Sequence, residues 1–191
     1  MTMAQGFLKK VQVQTYFALT LAISWSGLIL VGGAGLFAGT NWQTDPRFLP
    51  AIQTMLLGPP IAGILSTVLF SGTTGLRDLF ARLTRWRIPG RWYAVALLSA
   101  PLLQGGVLAA LSRFSPIYLP AIVSSSDKSG LLLPAIAYGL VGGLVEELGW
   151  TGFAIPRLRK RFSVLATGVI VGVVWGVWHI LQMWWVGSTS F

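Results

Sequence analysis

Cysteine is absent from this chain, histidine occurs once, and acidic residues number only five. The missing cysteines exclude disulfides and thiolate metal sites. Charged residues make up 10% of the chain, against about a quarter in a soluble domain. Hydrophobic residues reach 54% and mean hydropathy is +0.71, so the chain reads as an integral membrane protein. The net charge of +9 is not gathered on a basic face interleaved with aromatics, which argues against a nucleic-acid partner. No short-period repeat, low-complexity tract or flexible linker divides the sequence, and one membrane domain over residues 1–191 is predicted.

What is present is a series of apolar runs. Five are long enough to cross ~30 Å of hydrocarbon at ~1.5 Å per helical residue. They are expected at about 16–38, 49–70, 92–111, 131–153 and 164–186. The predicted fold is therefore an all-α polytopic bundle of about five transmembrane helices. The first run has only a weak cleavage candidate, at Gly35–Thr40, and reads as an uncleaved span. Gly58-Pro59-Pro60 falls inside the second run and predicts a kink whose freed carbonyls are satisfied by neighbours.

Residues 71–91 hold Arg77, Arg82, Arg85, Arg87 and Arg91 against a single Asp78. Leu76, Leu79, Phe80, Leu83 and Trp86 recur between them, predicting an amphipathic helix in the interface beside anionic headgroups. Trp92 and Tyr93 are interfacial anchors for the third span. Residues 113–128, with Pro116 and Pro120, are expected to form a loop or a partly re-entrant segment. With the N-terminus cytoplasmic, eleven of the fourteen basic residues fall inside and only Arg47, Arg113 and Lys128 outside. That asymmetry predicts the orientation.

Asp45, Asp78 and Asp127 lie in polar connections, whereas Glu146 and Glu147 interrupt an apolar run. An ionisable side chain inside a span costs about 3 kcal/mol or more and marks a functional position by default. Adjacent helical residues diverge by about 100°, so the two carboxylates have different surroundings. Gly142, Gly143, Gly149 and Gly152 thin the helix around them. On the fifth span Trp175 and His179 share a face, and Gly172 and Gly176 have the spacing of a packing groove. A histidine in hydrocarbon needs a partner, so Glu–His pairing across spans four and five is predicted. Two glutamates facing one histidine favour a functional site over simple neutralisation. Trp175, Trp178, Trp184 and Trp185 are expected mainly to pack and to anchor. Matching the depths of the glutamates and His179 requires tilt, an early end to span four or a non-helical start to span five.

Glu146-Glu147-Leu-Gly-Trp-Thr-Gly-Phe-Ala-Ile-Pro156-Arg157-Leu resembles the first motif of the CPBP intramembrane metalloprotease family. These are the CAAX proteases and bacteriocin-processing enzymes, also called Abi. Trp175-Gly-Val-Trp-His179 resembles the second motif, an aromatic residue four before a histidine. Leu57-Gly-Pro-Pro-Ile-Ala and the stretch from Gly75 to Tyr93 also resemble bacterial members, and the likeness covers roughly residues 50–185.

The resemblance implies hydrolysis of a peptide bond in a membrane-associated, prenylated or leader peptide. It implies Glu146, Glu147 and His179 as catalytic residues, with Glu146 and His179 activating a water. Trp175 and Trp150 are candidate substrate contacts. Glu146 and His179 would also supply two ligands to zinc or another divalent metal, where a catalytic zinc normally takes three. The implied partners are the lipid bilayer and a peptide or lipidated-protein substrate, in a bacterial cytoplasmic membrane. Thr151 stands where the family has arginine, and the third motif, a histidine followed four residues on by Asn or Asp, does not occur in the sequence. A truncated or degenerate member is therefore expected. Two other readings stay open: an inactive relative acting as an immunity or scaffold protein, and a proton-coupled transporter, which the lack of an inverted repeat disfavours.

Overall fold

Every regular element among the described residues is helical. The computed structural model describes residues 3–38 and 40–187, and side chains from Val11 onward, so Lys9 and Lys10 of the charge argument lie outside the described side chains. The order is α1 (Met3–Gly32), α2 (Ala34–Phe37), α3 (Phe48–Leu56), α4 (Gly58–Leu83) and α5 (Gly90–Leu111). A 3₁₀ turn (Pro116–Tyr118), α6 (Ala121–Ser124) and α7 (Lys128–Gly149) follow. A π-helical turn (Trp150–Ala154), α8 (Ile155–Leu158) and α9 (Val164–Gly187) complete it. Five stretches are long and apolar enough to cross a membrane: Val11–Gly32, Phe48–Leu83, Gly90–Leu111, Lys128–Leu158 and Val164–Gly187. The protein is an all-α polytopic membrane protein.

Two of the expected spans change at glycines. The first helix stops at Gly32 rather than running to 38, because Gly33 has φ 54°, a left-handed conformation that only glycine adopts freely. The second continues past 70 and is interrupted at Gly72, with φ 59° and ψ −158°. Residues 71–91 therefore do not form one amphipathic helix. Helix persists to Leu83, and residues 84–89 are non-helical. Pro89, at ψ 135°, disfavours helix in the residue before it and then opens α5 as its N-cap.

The chain divides into two compact units, residues 1–82 with 142–191, and residues 83–141. In the first unit one face of α1 presents Tyr16, Thr20, Ser24 and Leu28 at intervals of four, all fully buried. They meet Ala51, Met55 and Ala62 of α3 and α4, Trp150 and Phe153 of the π turn, and Trp178 and Trp185 of α9 in the same core. Trp25 Nε1 donates to the Trp178 carbonyl at 3.0 Å, tying α1 to α9. Lipid tails are as apolar as leucine, so this unit is held by close packing and interhelical hydrogen bonds rather than by water exclusion.

The Gly-Pro-Pro kink shows how. Pro59 has no N–H for the carbonyl of Met55, four residues earlier. Ser24 Oγ donates to that carbonyl at 2.8 Å. A Cβ on Gly58 would collide with Ser24 Oγ and the Thr20 carbonyl, so glycine lets the two backbones approach.

In the second unit α5 and α7 each contain a proline, Pro101 and Pro134. The connection at 113–128 is a loop holding the 3₁₀ turn and α6. Asp127 Oδ1 accepts from Gly130 N at 2.8 Å and caps the start of α7.

Candidate functional site

Glu146 and Glu147 occupy the last turn of α7, where the helix enters the first unit. Two glycines seat that turn. A Cβ on Gly63 of α4 would come within 2.9 Å of Gly149 Cα, and one on Gly149 would strike the Pro59 carbonyl and the Tyr16 hydroxyl. The close crossing of α4 and α7 therefore depends on Gly149, and Gly152 packs against Leu79. Gly142, Gly143, Gly172 and Gly176, expected to serve the same end, have nothing within 4 Å of a Cβ position. Thinning is confined to the C-terminal side of the glutamates.

Beyond Gly149 the helix widens into the π turn Trp150–Ala154, an irregularity frequent at functional sites. Pro156 cannot donate to the Gly152 carbonyl, and Arg82 donates to it instead at 2.8 Å. Arg157 fixes the next turn. Its guanidinium donates to Gln12 Oε1, Ser71 Oγ and the Phe153 carbonyl at 3.0, 3.0 and 3.1 Å, and lies over the Phe153 ring. These arginines brace the glutamate helix from behind; neither bonds a glutamate.

Across the site, Trp175 Nε1 donates to Glu146 Oε2 at 3.4 Å. His179 Nδ1 lies 2.9 Å from the Trp175 carbonyl. A carbonyl only accepts, so Nδ1 carries the proton and the neutral ring keeps its lone pair on Nε2. The Trp175 and His179 rings are 4.1 Å apart between centroids. The predicted direct Glu–His pair is thus corrected. Among the described residues no hydrogen bond or ion pair joins a glutamate to His179, because the indole takes the Glu146 carboxylate and the Trp175 backbone takes the imidazole N–H. Glu147 is exposed, and its carbonyl accepts from Thr151 Oγ1 at 2.9 Å. Thr151, in the arginine position, is bonded to its own helix.

The depth mismatch is met without an early end to span four or a non-helical start to span five, since helix runs through Leu158 and resumes at Val164. Helical side chains lean towards their own N-terminus. Those of α7 and its extension lean away from the connecting turn and those of α9 lean towards it. Trp150 and Trp178 meet in this way, with centroids 6.0 Å apart.

Trp150 is not placed as a substrate contact. It is 2% exposed, packed on Tyr16, Phe17 and Trp178. Trp175, at 45% exposure, keeps an open face, as does Trp184, whereas Trp178 and Trp185 are buried. Tyr16 and Ser24 were missed on sequence grounds; the polar repeat Tyr16-Thr20-Ser24 at spacing four is the signal that points to them.

The donor set does not complete a zinc site. No three His, Cys, Asp or Glu side chains among the described residues are grouped to hold a metal, and Glu146 with His179 falls one ligand short of a catalytic zinc.

Residues 128–191 match the family of type II CAAX prenyl endopeptidases, Rce1-like. That segment contains Glu146, Glu147, Trp175 and His179. Through it the chain is similar to the CAAX prenyl endopeptidases. A CAAX prenyl protease 2 from Methanococcus maripaludis is 34% identical over 47 residues, which is 25% of this chain and 17% of that protein. The matched region thus spans under a fifth of the relative's length. No solved structure matches the chain. Within the first unit, Trp175 is bonded both to Glu146, through its indole, and to His179, through its carbonyl.

Proposed function

We propose that this chain is an intramembrane endopeptidase of the CAAX protease type that hydrolyses a peptide bond of a membrane-associated, prenylated or leader peptide. The observation that carries the reading is Trp175, which touches Glu146 through its indole and His179 through its carbonyl. Two acceptors then stand on either side of Trp175, the Glu146 carboxylate and His179 Nε2, and in this reading they share one water. A water between them donates one hydrogen to each, which turns its oxygen lone pairs towards a substrate carbonyl. Glu146 takes the proton as the water oxygen attacks the carbonyl carbon, and returns it to the departing amine. Glu147, exposed beside it, is a supporting carboxylate. Trp175 lines the approach.

Purified full chain in detergent, offered prenylated and leader-type peptides, is expected to lose about 10²–10⁴-fold in cleavage rate on Glu146→Gln or His179→Gln. Cleavage by both variants at the wild-type rate would reject the reading. One observation favours a second reading, a non-catalytic membrane factor with an immunity or scaffold role: Thr151 supplies no charge and is bonded to its own helix. A cellular phenotype that survives both substitutions at normal protein level would select it.

A further inference from the structure

We propose that residues 85–93, in the second unit, form a preshaped site for the phosphate headgroup of an anionic phospholipid. The sequence pattern predicts a helix here, whose arginines would fan out around its axis. The structure has a different arrangement. Trp86 N donates to the Thr84 carbonyl and Ile88 N to the Trp86 carbonyl, both at 3.0 Å. These are successive three-residue γ-type turns, centred on Arg85 and Arg87. A repeat of two residues sends both side chains to one side of the ribbon. The Trp86 carbonyl also accepts from the Tyr93 hydroxyl, which latches the ribbon onto the first turn of α5.

Arg85, Arg87 and Arg91 are all exposed. The Arg87 guanidinium lies 5.2 Å from the Trp86 ring centroid and that of Arg91 lies 5.7 Å from Trp92. The two indoles are themselves 68% and 54% exposed. Cations over the faces of exposed tryptophans, at the mouth of a span that begins at Gly90, suit the headgroup level, where an indole rests in the interface and a guanidinium forks onto phosphate. No acidic residue occurs between Asp78 and Asp127 to neutralise the cluster. Arg82, the nearest further arginine in sequence, is bonded to the Gly152 carbonyl and is not counted in the site.

The test uses the full chain purified in mild detergent, with native mass spectrometry counting retained phosphatidylglycerol against phosphatidylcholine. The wild type is expected to retain phosphatidylglycerol preferentially. Combined Arg85→Gln, Arg87→Gln and Arg91→Gln should weaken that retention by about a hundredfold, at about fivefold per arginine near an anionic surface. Arg113→Gln, a cation elsewhere in the same unit, should leave it unchanged, and Tyr93→Phe should give a partial loss. Circular dichroism of each variant confirms unchanged helicity. Equal retention of the two lipids, equal loss in Arg113→Gln, or displacement by millimolar inorganic phosphate as effective as by lipid would overturn the site. Unchanged retention in Tyr93→Phe would overturn the preshaping.

Discussion

Ser24 supplies the hydrogen bond that Pro59 withholds from the Met55 carbonyl, across 2.8 Å and 31 residues of sequence. A kink in the second span is thereby stabilised by a hydroxyl on the first. Ser24→Ala should lower stability by about 1–2 kcal/mol, since it removes a buried interhelical hydrogen bond to the Met55 carbonyl. Thermal unfolding in detergent reads the effect, and restoring a helical donor by Pro59→Ala in the same background should recover part of it.

The glycines near the glutamates divide by what faces them. Gly63→Ala and Gly149→Ala would push a methyl into backbone and should cost about 1–3 kcal/mol. Gly172→Ala points into open space and should change stability by about 0.5 kcal/mol or less. Equal costs at all three would contradict the observed crossing of α4 and α7.

Trp175→Phe keeps a ring and removes the indole N–H. If Trp175 positions Glu146, turnover should fall about tenfold while substrate KM and thermal stability hold, the low end for a hydrogen bond to a charged group because the site is half open. Trp175→Ala should also raise KM. A phenylalanine variant at wild-type rate would show that the 3.4 Å contact has no part in turnover.

The loop before the second span carries a pH signature. Arg47, through its side chain and its backbone N–H, and Thr40 hold the Asp45 carboxyl well below the usual carboxylate range. A carboxyl lowered in the folded state stabilises above its unfolded pKa of about 4 and loses that contribution as pH falls through the folded value. Melting temperature should therefore decline below about pH 4, and Asp45→Asn should flatten that limb while leaving pH 7 stability slightly lower.

Because the sequence has no cysteine, single-cysteine variants report orientation cleanly. With the N-terminus cytoplasmic, as the charge asymmetry predicts, Ser125→Cys should react with an impermeant maleimide on intact cells and Thr84→Cys should react only after lysis. The opposite pattern would invert the topology.

The helical architecture was legible because a lipid-facing helix must be apolar along its whole length, and that property is local in sequence. The breaks at Gly33 and Gly72 were not, since 23 glycines give no sign of which adopt positive φ. The glutamates and His179 stood out by polarity alone. Their linkage did not, because a tryptophan in an apolar span reads as bulk, whereas here its N–H and its carbonyl intervene between the acid and the imidazole. The replacement of an interfacial helix by tandem tight turns escaped for another reason: residues 76, 79, 80, 83 and 86 keep helical spacing although the helix ends at Leu83, ahead of Pro89.

His179 commits Nδ1 to its own helix, at the Trp175 carbonyl. The ring is consequently one-handed. In the proposed reaction a proton would enter and leave by a single edge, and a ligand approaching from the Nδ1 side would meet no usable lone pair. Azole inhibitors that bond to a histidine should therefore discriminate sharply by orientation, binding only when their donor comes from the Nε2 direction.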